Sequence, residues 1–173
     1  QVGELDPVVD ALHLALGRGA VHHLAGPSGS FAAAERERAW RDELEAAGLA
    51  APELVRGDWT AASGFVATSA LGDDVTTLFC ANDQMALGAL RALADRGRGV
   101  PDDVAVVGYD DTDLAAHPMV SLSSINQSGT RMGEIVVRLL LERIEGRTQP
   151  VHEVIAPKLM ARRTTLLSPQ RTH

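Results

Sequence analysis

The side chains best suited to bind a ligand follow the ends of predicted strands. The pair Asp110–Asp111 follows an apolar run over residues 104–109, and the pair Asn82–Asp83 follows a similar run over residues 76–81. In open parallel sheets, ligands bind outside the carboxyl ends of the strands. We therefore expect these loops to meet at one rim. The polar and aromatic residues they contribute are Ser28, Asp58, Trp59, Asn82, Asp83, Asp110, Asp111, Asn126 and Gln127.

This set of carboxylates, amides and one indole suits a polyhydroxylated ligand. Carboxylate and amide groups can bond to adjacent hydroxyls, and an indole can stack on the apolar face of a sugar ring. Each residue also has a plainer interpretation. Asn82 could only cap a helix, Asp110 and Asp111 could form a solvated turn, Trp59 could pack in the core, and Arg36 could lie on a charged helix face.

Patterns typical of enzymes are missing. There is no glycine-rich dinucleotide fingerprint and no phosphate-binding loop. Cys80 lies inside a predicted strand, and Ser28–Ser30 lacks the strand–turn–helix context of a nucleophile elbow. His22 and His23 have no partner at metal-ligand spacing, and no third acidic residue is placed beside Asp110–Asp111. We therefore expect a binding protein without catalytic activity, metal or cofactor.

A repeating rhythm of helix and strand is expected to position these residues. It predicts an α/β fold with a mainly parallel sheet flanked by helices. The predicted strands span residues 21–25, 53–56, 76–80, 104–109 and 121–125. The predicted helices span 5–16, 31–47, 61–71, 83–93 and 131–144, and two extended segments follow at 151–155 and 159–164.

Composition limits the classes of protein this chain can belong to. Of 173 residues, 45% are hydrophobic and 23% charged, which is enough to form a packed core, and the formal net charge is -7. An acidic chain has no electrostatic footprint for a phosphate backbone, so nucleic-acid binding by this chain alone is not expected. The single cysteine fits a reducing cytosol, and no apolar run is long enough to cross a bilayer.

Three segments, with a fourth near the end, resemble motifs of one known family. Residues 57–65 read GDWTAASGF, residues 81–88 read ANDQMALG, and residues 101–111 read PDDVAVVGYDD; RRTT at 162–165 resembles the family's ending. The chain thus resembles the LacI/GalR family of bacterial transcriptional regulators over about residues 5–167, nearest to its lactose-repressor branch. The second and third motifs together are highly specific.

The resemblance implies a periplasmic-binding-protein-like (type I) core of two lobes with an effector, a sugar or related polyol, between them. By position, Arg36, Asn82 and Asp110 are the implied polar effector contacts, Trp59 the stacking residue, and Gln127 a neighbour of the same cleft. Effector binding in such proteins changes the lobe angle, and this change controls DNA binding allosterically.

Further expectations concern partners and boundaries. The resemblance implies a cytoplasmic homodimer, with Leu87 as an interface candidate, that contacts operator DNA only through a helix-turn-helix head. That head is absent here, and since the chain starts at Gln1, we expect a fragment. Residues 1–126 are assigned to the C-terminal lobe, 127–157 to a segment of the N-terminal lobe, and 158–173 to the return and tail.

Two features of the segment 127–157 bear on its partner and on the effector. The apolar stripe of helix 131–144 would lack its sheet, so we expect it to dock elsewhere or on another chain. Gly129 stands where the lactose-repressor branch has an aromatic residue, which predicts a larger or different effector.

The alternative function is a periplasmic-type sugar-binding protein of an uptake system; a secretory signal upstream would favour it over a regulator.

Overall fold

The computed structural model describes residues 20–147, 149, 151 and 153–166, and its centre is one six-stranded sheet with the order β2-β1-β3-β4-β5-β6. Neighbouring strands from β2 through β5 pair in parallel, and β6 pairs antiparallel to β5. The predicted α/β class and mainly parallel sheet are confirmed. The strands are β1 Val21–Ala25, β2 Val55–Arg56, β3 Thr77–Cys80, β4 Ala105–Tyr109, β5 Ser123–Asn126 and β6 Lys158–Met160.

Helices follow the strands in the order that the sequence rhythm predicts. They are α1 Phe31–Ala46, α2 Ala61–Ser69, α3 Asp83–Asp95, α4 Asp113–Ala116 and α5 Gly129–Ile144. Ser30, Thr60, Asn82 and Thr112 each cap the helix that follows, through a side-chain oxygen that accepts a backbone N–H. The predicted helix over residues 5–16 lies outside the described residues.

Both faces of the sheet are covered, which explains why its central strands β3 and β4 are mostly apolar and buried. One face packs Val21, Phe79, Val107 and Ile125 against Trp40 and Leu44 of α1. The other packs Leu24, Leu78, Val106 and their neighbours against Met85, Ala89 and Leu93 of α3. Cys80 is fully buried in this second core, as its place in a strand predicts.

Two glycines allow α2 and α3 to pack closely. A Cβ at Gly88 would lie 1.9 Å from the carbonyl oxygen of Ala61, and a Cβ at Gly64 would lie 2.2 Å from that of Met85. Any larger residue would push the helices apart. This close packing fixes the turn before α2, which carries Trp59, against the N-terminus of α3, which carries Asn82.

Several predicted boundaries are wrong for local reasons. The fifth strand begins at Ser123 rather than 121, because Ser121 has a left-handed backbone with φ of 50°. The predicted extended segment 159–164 is a strand only from Lys158 to Met160, and residues 163–165 form a turn. Over 151–155, the described residues contain no strand. The four-residue helix α4 is too short to produce a helical repeat and was not predicted.

Helix α5 presents an apolar face to solvent. Met132, Val136, Val137, Leu140, Leu141 and Ile144 are between 47% and 73% exposed, whereas Ile135 is 8% exposed. What covers this stripe remains a prediction. None of the helices in the described part of the chain is long and apolar enough to cross a membrane.

Candidate functional site

The structure brings the five predicted effector-site residues together beyond the carboxyl ends of the strands. Arg36 lies at the centre of the cluster, 3.7 Å from a carboxylate oxygen of Asp110 and 5.6 Å from the ring centroid of Trp59. Asn82 donates to the backbone oxygen of Trp59, and Gln127 donates to Asp110. The convergence expected from strand ends is therefore present, while effector contact by these residues remains a prediction.

Arg36 is held by contacts that fix the plane of its guanidinium group. Its Nη1 donates to the carbonyl oxygen of Ala81 at 2.7 Å, and its Cζ lies 3.9 Å from the ring centroid of Tyr109. Stacking on an aromatic face stabilises a guanidinium and leaves its edge free to donate. The side chain is only 14% exposed, so Arg36 is not part of a solvated helix face.

Trp59 is presented by an unusual turn. Its φ of 77° is left-handed, and Asp58 supports the turn by accepting from the hydroxyl of Thr60 at 2.6 Å and from its backbone N–H at 3.0 Å. The Thr60 hydroxyl, with further hydrogen bonds from Ser63 and the Thr60 backbone, lowers the pKa of Asp58 to about 2. The indole ring thus stands over Gly26 at the rim, partly exposed, and packs against the edge of the core that contains Leu24 and Met85.

Asn82 caps helix α3, as its plainer interpretation proposed. Its Oδ1 accepts from the backbone N–H of Met85 at 2.8 Å, and its Nδ2 donates to the carbonyl oxygen of Trp59 at 3.0 Å. One N–H and one lone pair of the amide remain for a ligand. Cap and ligand contact are compatible, because the side chain lies at the same rim.

Asp110 and Gln127 form the opposite side of the cluster. Asp110 has a φ of 111°, and its carboxylate accepts from Nε2 of Gln127 at 2.8 Å. Partial burial raises the pKa of Asp110, and the guanidinium of Arg36 opposes this effect. The Asp110 carboxylate, whose side chain is 38% exposed, and its amide partner can each exchange one protein contact for a ligand hydroxyl.

Some residues of the site were missed by sequence reasoning. Tyr109 carries the stacked Arg36, although its place at the end of β4 could have indicated a rim residue. Asp111 was expected at the rim as a ligand-binding or turn residue, yet it pairs with Arg162 at 2.6 Å. No local signal reveals that pair, since its members are far apart in sequence. Leu87, the interface candidate, is partly buried on α3, and its role remains a prediction.

Gly26 provides the space for the Trp59 ring. A Cβ at this position would lie 2.3 Å from Cη2 and 2.5 Å from Cζ2 of the indole. We predict that Gly26→Ala displaces the ring and lowers the free energy of unfolding by about 1–3 kcal/mol through overpacking. Urea denaturation measures the loss, and ¹⁹F NMR of fluorotryptophan-labelled protein reports the ring. The matched control is Gly133→Ala, where a Cβ would have nothing within 4 Å; an unmoved Trp59 signal in Gly26→Ala would contradict the prediction.

Comparison with protein families identifies the domain type. The sequence model of a family described as periplasmic binding protein-like domain matches residues 12–165. The HTH-type transcriptional regulator CelR of Thermobifida fusca is 44% identical over 145 residues, covering 80% of this chain and 43% of that protein. The lactose operon repressor of Escherichia coli (strain K12) is 36% identical, covering 88% of this chain and 43% of the repressor. The chain spans less than half the length of these two relatives.

Solved structures give the same result. A complex of the transcriptional regulator CelR with cellobiose superimposes with a TM-score of 0.81 at 39% identity, over 92% of this chain and 50% of that one. A dimeric Lac repressor with a C-terminal deletion superimposes with a TM-score of 0.85 at 36% identity, over 93% of this chain and 61% of the repressor chain.

Proposed function

Because this chain belongs to the LacI family of transcriptional regulators and carries their periplasmic-binding-protein-like domain, we propose that it is the sensor of a regulator whose effector is a carbohydrate or related polyol. The observation that carries this proposal is the cluster of Arg36, Trp59 and Asp110 at one rim of the sheet.

The chemistry of the cluster supports a sugar. Arg36 offers fixed donors, Asp110 offers an acceptor pair, and the partly exposed Trp59 offers an apolar ring face to stack on. The related CelR structure holds cellobiose. Beside Asp110, an open depression of about 510 Å³ extends to Gly129. A Cβ at Gly129 would have no atom within 4 Å, which leaves room for an effector larger than one sugar ring.

Regulation by this domain follows from two lobe arrangements with different effector affinities. The effector would favour one arrangement, and a homodimer with Leu87 in its interface would transmit the change to helix-turn-helix heads on operator DNA in the bacterial cytoplasm. The acidic chain, with its net charge of -7, leaves DNA contact to such heads.

The division into lobes is part of the same proposal. Residues 1–126 and 158–173 would form one lobe, and residues 127–157 would pack with a second lobe across the effector cleft. The exposed apolar face of α5 supports this assignment, since it offers Val136 and Leu140 at helical spacing to a partner.

Calorimetric titration tests the sensor function. The full product of the gene is titrated with glucose, galactose, lactose, maltose and cellobiose, and binding of at least one sugar below millimolar concentration is expected. Asp110→Ala should weaken that sugar about 10- to 100-fold, the usual effect of losing a hydrogen bond to a charged group. Asp113→Ala, an exposed carboxylate on α4, is the matched control. Absence of binding by every sugar would contradict the proposal, and unchanged affinity in Asp110→Ala would contradict the site.

A second prediction tests the lobe assignment. Because the apolar face of α5 is uncovered, the chain should self-associate through this face at micromolar concentration. Val136→Glu combined with Leu140→Glu should return the chain to a monomer, because charge on both positions prevents apolar contact. Light scattering measures the mass, and Arg131→Ala on the same helix is the control. A monomeric wild-type chain with a stable, exposed α5 would contradict the assignment.

A further inference from the structure

A buried carboxylate stands directly behind the candidate site without a cationic partner among the described residues. Asp83, in the first turn of α3, is 0% exposed. Its Oδ2 accepts from the backbone N–H of Thr112 at 2.7 Å and from the Thr112 hydroxyl at 3.0 Å. Its Oδ1 accepts from the hydroxyl of Ser124 at 2.6 Å. These hydrogen bonds and the positive end of the helix dipole compensate the buried charge.

The bonds to Asp83 hold the turn that carries Asp110. Asp110 and Asp111 have φ values of 111° and 53°, a left-handed conformation that non-glycine residues rarely adopt. Each successive N–H of the turn is bonded: that of Asp110 to the Ile125 carbonyl at 2.9 Å, that of Asp111 to the Ser124 hydroxyl at 3.0 Å, and that of Thr112 to Asp83 at 2.7 Å. The turn therefore depends on its surroundings for its shape.

Ser124 transmits the effect of Asp83 to Asp111. A hydroxyl has one proton, and Ser124 donates it to Asp83, so that an oxygen lone pair is oriented toward the N–H of Asp111. Without the carboxylate, the hydroxyl could rotate and the N–H would lose a fixed acceptor. Asp83 thus controls two consecutive amides of the turn, one directly and one through Ser124.

We propose that Asp83 is a positioning residue of the effector site, which holds the Asp110–Asp111 turn through Thr112 and Ser124 and so places the Asp110 carboxylate beside Arg36 and Gln127. The inference rests on the proposed function for the role of Asp110, and on the hydrogen bonds for the role of Asp83. A longer side chain does not fit, because a Cβ at Gly108 would already lie 2.3 Å from Oδ1 of Asp83. Glutamate at position 83 would collide with the backbone of Gly108.

The test compares Asp83→Asn with wild type in the absence of ligand. Asparagine at position 83 keeps the shape of the side chain, but its NH₂ group donates and cannot accept. At least one of the three hydrogen bonds that Asp83 accepts is therefore lost. Hydrogen exchange of the Asp111 and Thr112 amides should become at least about 10-fold faster relative to the Val106 and Val107 amides of β4, whereas global destabilisation alone would speed the β4 amides at least as much. Equal ratios in the two proteins would overturn the proposal.

A second readout follows the carboxyl of Asp110 by ¹³C NMR titration. The charged groups that face it are Arg36 on α1, Asp83 on α3 and Asp111 in its own turn, with Gln127 as its hydrogen-bond partner. Burial raises the pKa of Asp110, and the negative charge of Asp83 contributes in the same direction. Asp83→Asn removes this charge, which lowers the pKa of Asp110, and releases Asp110 from Arg36, which raises it. A midpoint that falls while the Asp111 and Thr112 amides stay protected would show that Asp83 acts through its charge alone, and would overturn the proposal.

Matched variants keep the test informative. Asp95→Asn removes the same charge at the far end of α3, where it pairs with Arg91 at 2.8 Å, and should alter neither readout. If Asp83→Asn does not fold, Ser124→Ala should release the Asp111 amide while Thr112 stays protected; protection of both would overturn the proposal. In the sugar titration, Asp83→Asn should weaken a bound sugar about 10-fold. Release of the turn in a protein that binds no sugar would support the role of Asp83 and contradict only the effector function.

Discussion

Replacing Arg162 with alanine is expected to lower the free energy of unfolding by about 3–5 kcal/mol, because it leaves a buried carboxylate without its cation. Arg162 donates from Nη2 to Asp111 at 2.6 Å, and the Asp111 side chain is only 8% exposed. Its Nη1 also donates to the carbonyl oxygen of Leu122 at 2.7 Å. Among the side chains of the described residues, only the amide of Asn126, at 2.7 Å, would remain to donate to the Asp111 carboxylate. Urea denaturation at neutral pH measures the loss.

The neighbouring residue supplies the control for this experiment. Arg163→Ala removes the same atoms and charge from an exposed position and should change the free energy of unfolding by less than about 0.5 kcal/mol. Asp111→Asn in the Arg162→Ala background should recover part of the loss, since the orphaned charge is gone. Equal stabilities of Arg162→Ala and Arg163→Ala would show that the pair does not hold the β6 segment to the rim.

The Arg162–Asp111 pair shows why local sequence patterns predicted the sheet but not the position at which its last strand, β6, ends. The predicted strands β1, β3 and β4 are confirmed because each is buried on both faces, and such burial is visible in the sequence as a short, mostly apolar run. The end of β6 is set instead by Arg162 reaching Ser123 and Asp111 across the sheet. Such contacts depend on tertiary placement, which no periodicity encodes.

Prediction of the site has a similar limit. The rim residues follow from the rule that parallel strands end at one edge, and the structure places Arg36, Trp59, Asn82, Asp110 and Gln127 there. What could not be predicted is how they are held. The left-handed φ of Trp59 is stabilised by Asp58, its neighbour in sequence, and the turn of Asp110 is held by Asp83, which is distant in sequence. Both aspartates were predicted at the rim, but not these supporting hydrogen bonds.

The buried imidazole of His23 makes the stability of the fold depend on pH. His23 has no partner at metal-ligand spacing in the sequence, and it is 0% exposed, stacked on Phe79 with centroids 4.7 Å apart and tilted against Trp40 at 5.4 Å. Its Nδ1 donates to the carbonyl oxygen of Phe79 at 3.0 Å, whereas its buried Nε2 has no partner among the described residues. Protonation would place a charge and an unpaired N–H in the core.

Stability should therefore fall as the pH falls below neutral. Burial lowers the pKa of His23 from its ordinary 6.5 to about 4, against the smaller opposing effect of the Phe79 hydrogen bond. Above pH 6.5 the imidazole is neutral in both states. Between these two pKa values the unfolded chain takes up the proton and the folded chain does not, so the free energy of unfolding drops by about 3 kcal/mol in total. Below about pH 4 both states are protonated, and the loss from this residue ends.

His23→Phe isolates this effect from the titration of the carboxylates. The aromatic ring keeps the stack on Phe79 and Trp40 but carries no ionisable nitrogen, so the variant should lose about 2–3 kcal/mol less than wild type between pH 7 and pH 4.5. His117→Gln, at an exposed histidine, should keep the wild-type pH dependence. Denaturant midpoints at half-unit pH intervals measure all three proteins. Parallel curves for wild type and His23→Phe would mean that His23 is charged in the folded core, and a proton acceptor for its Nε2 would then be required.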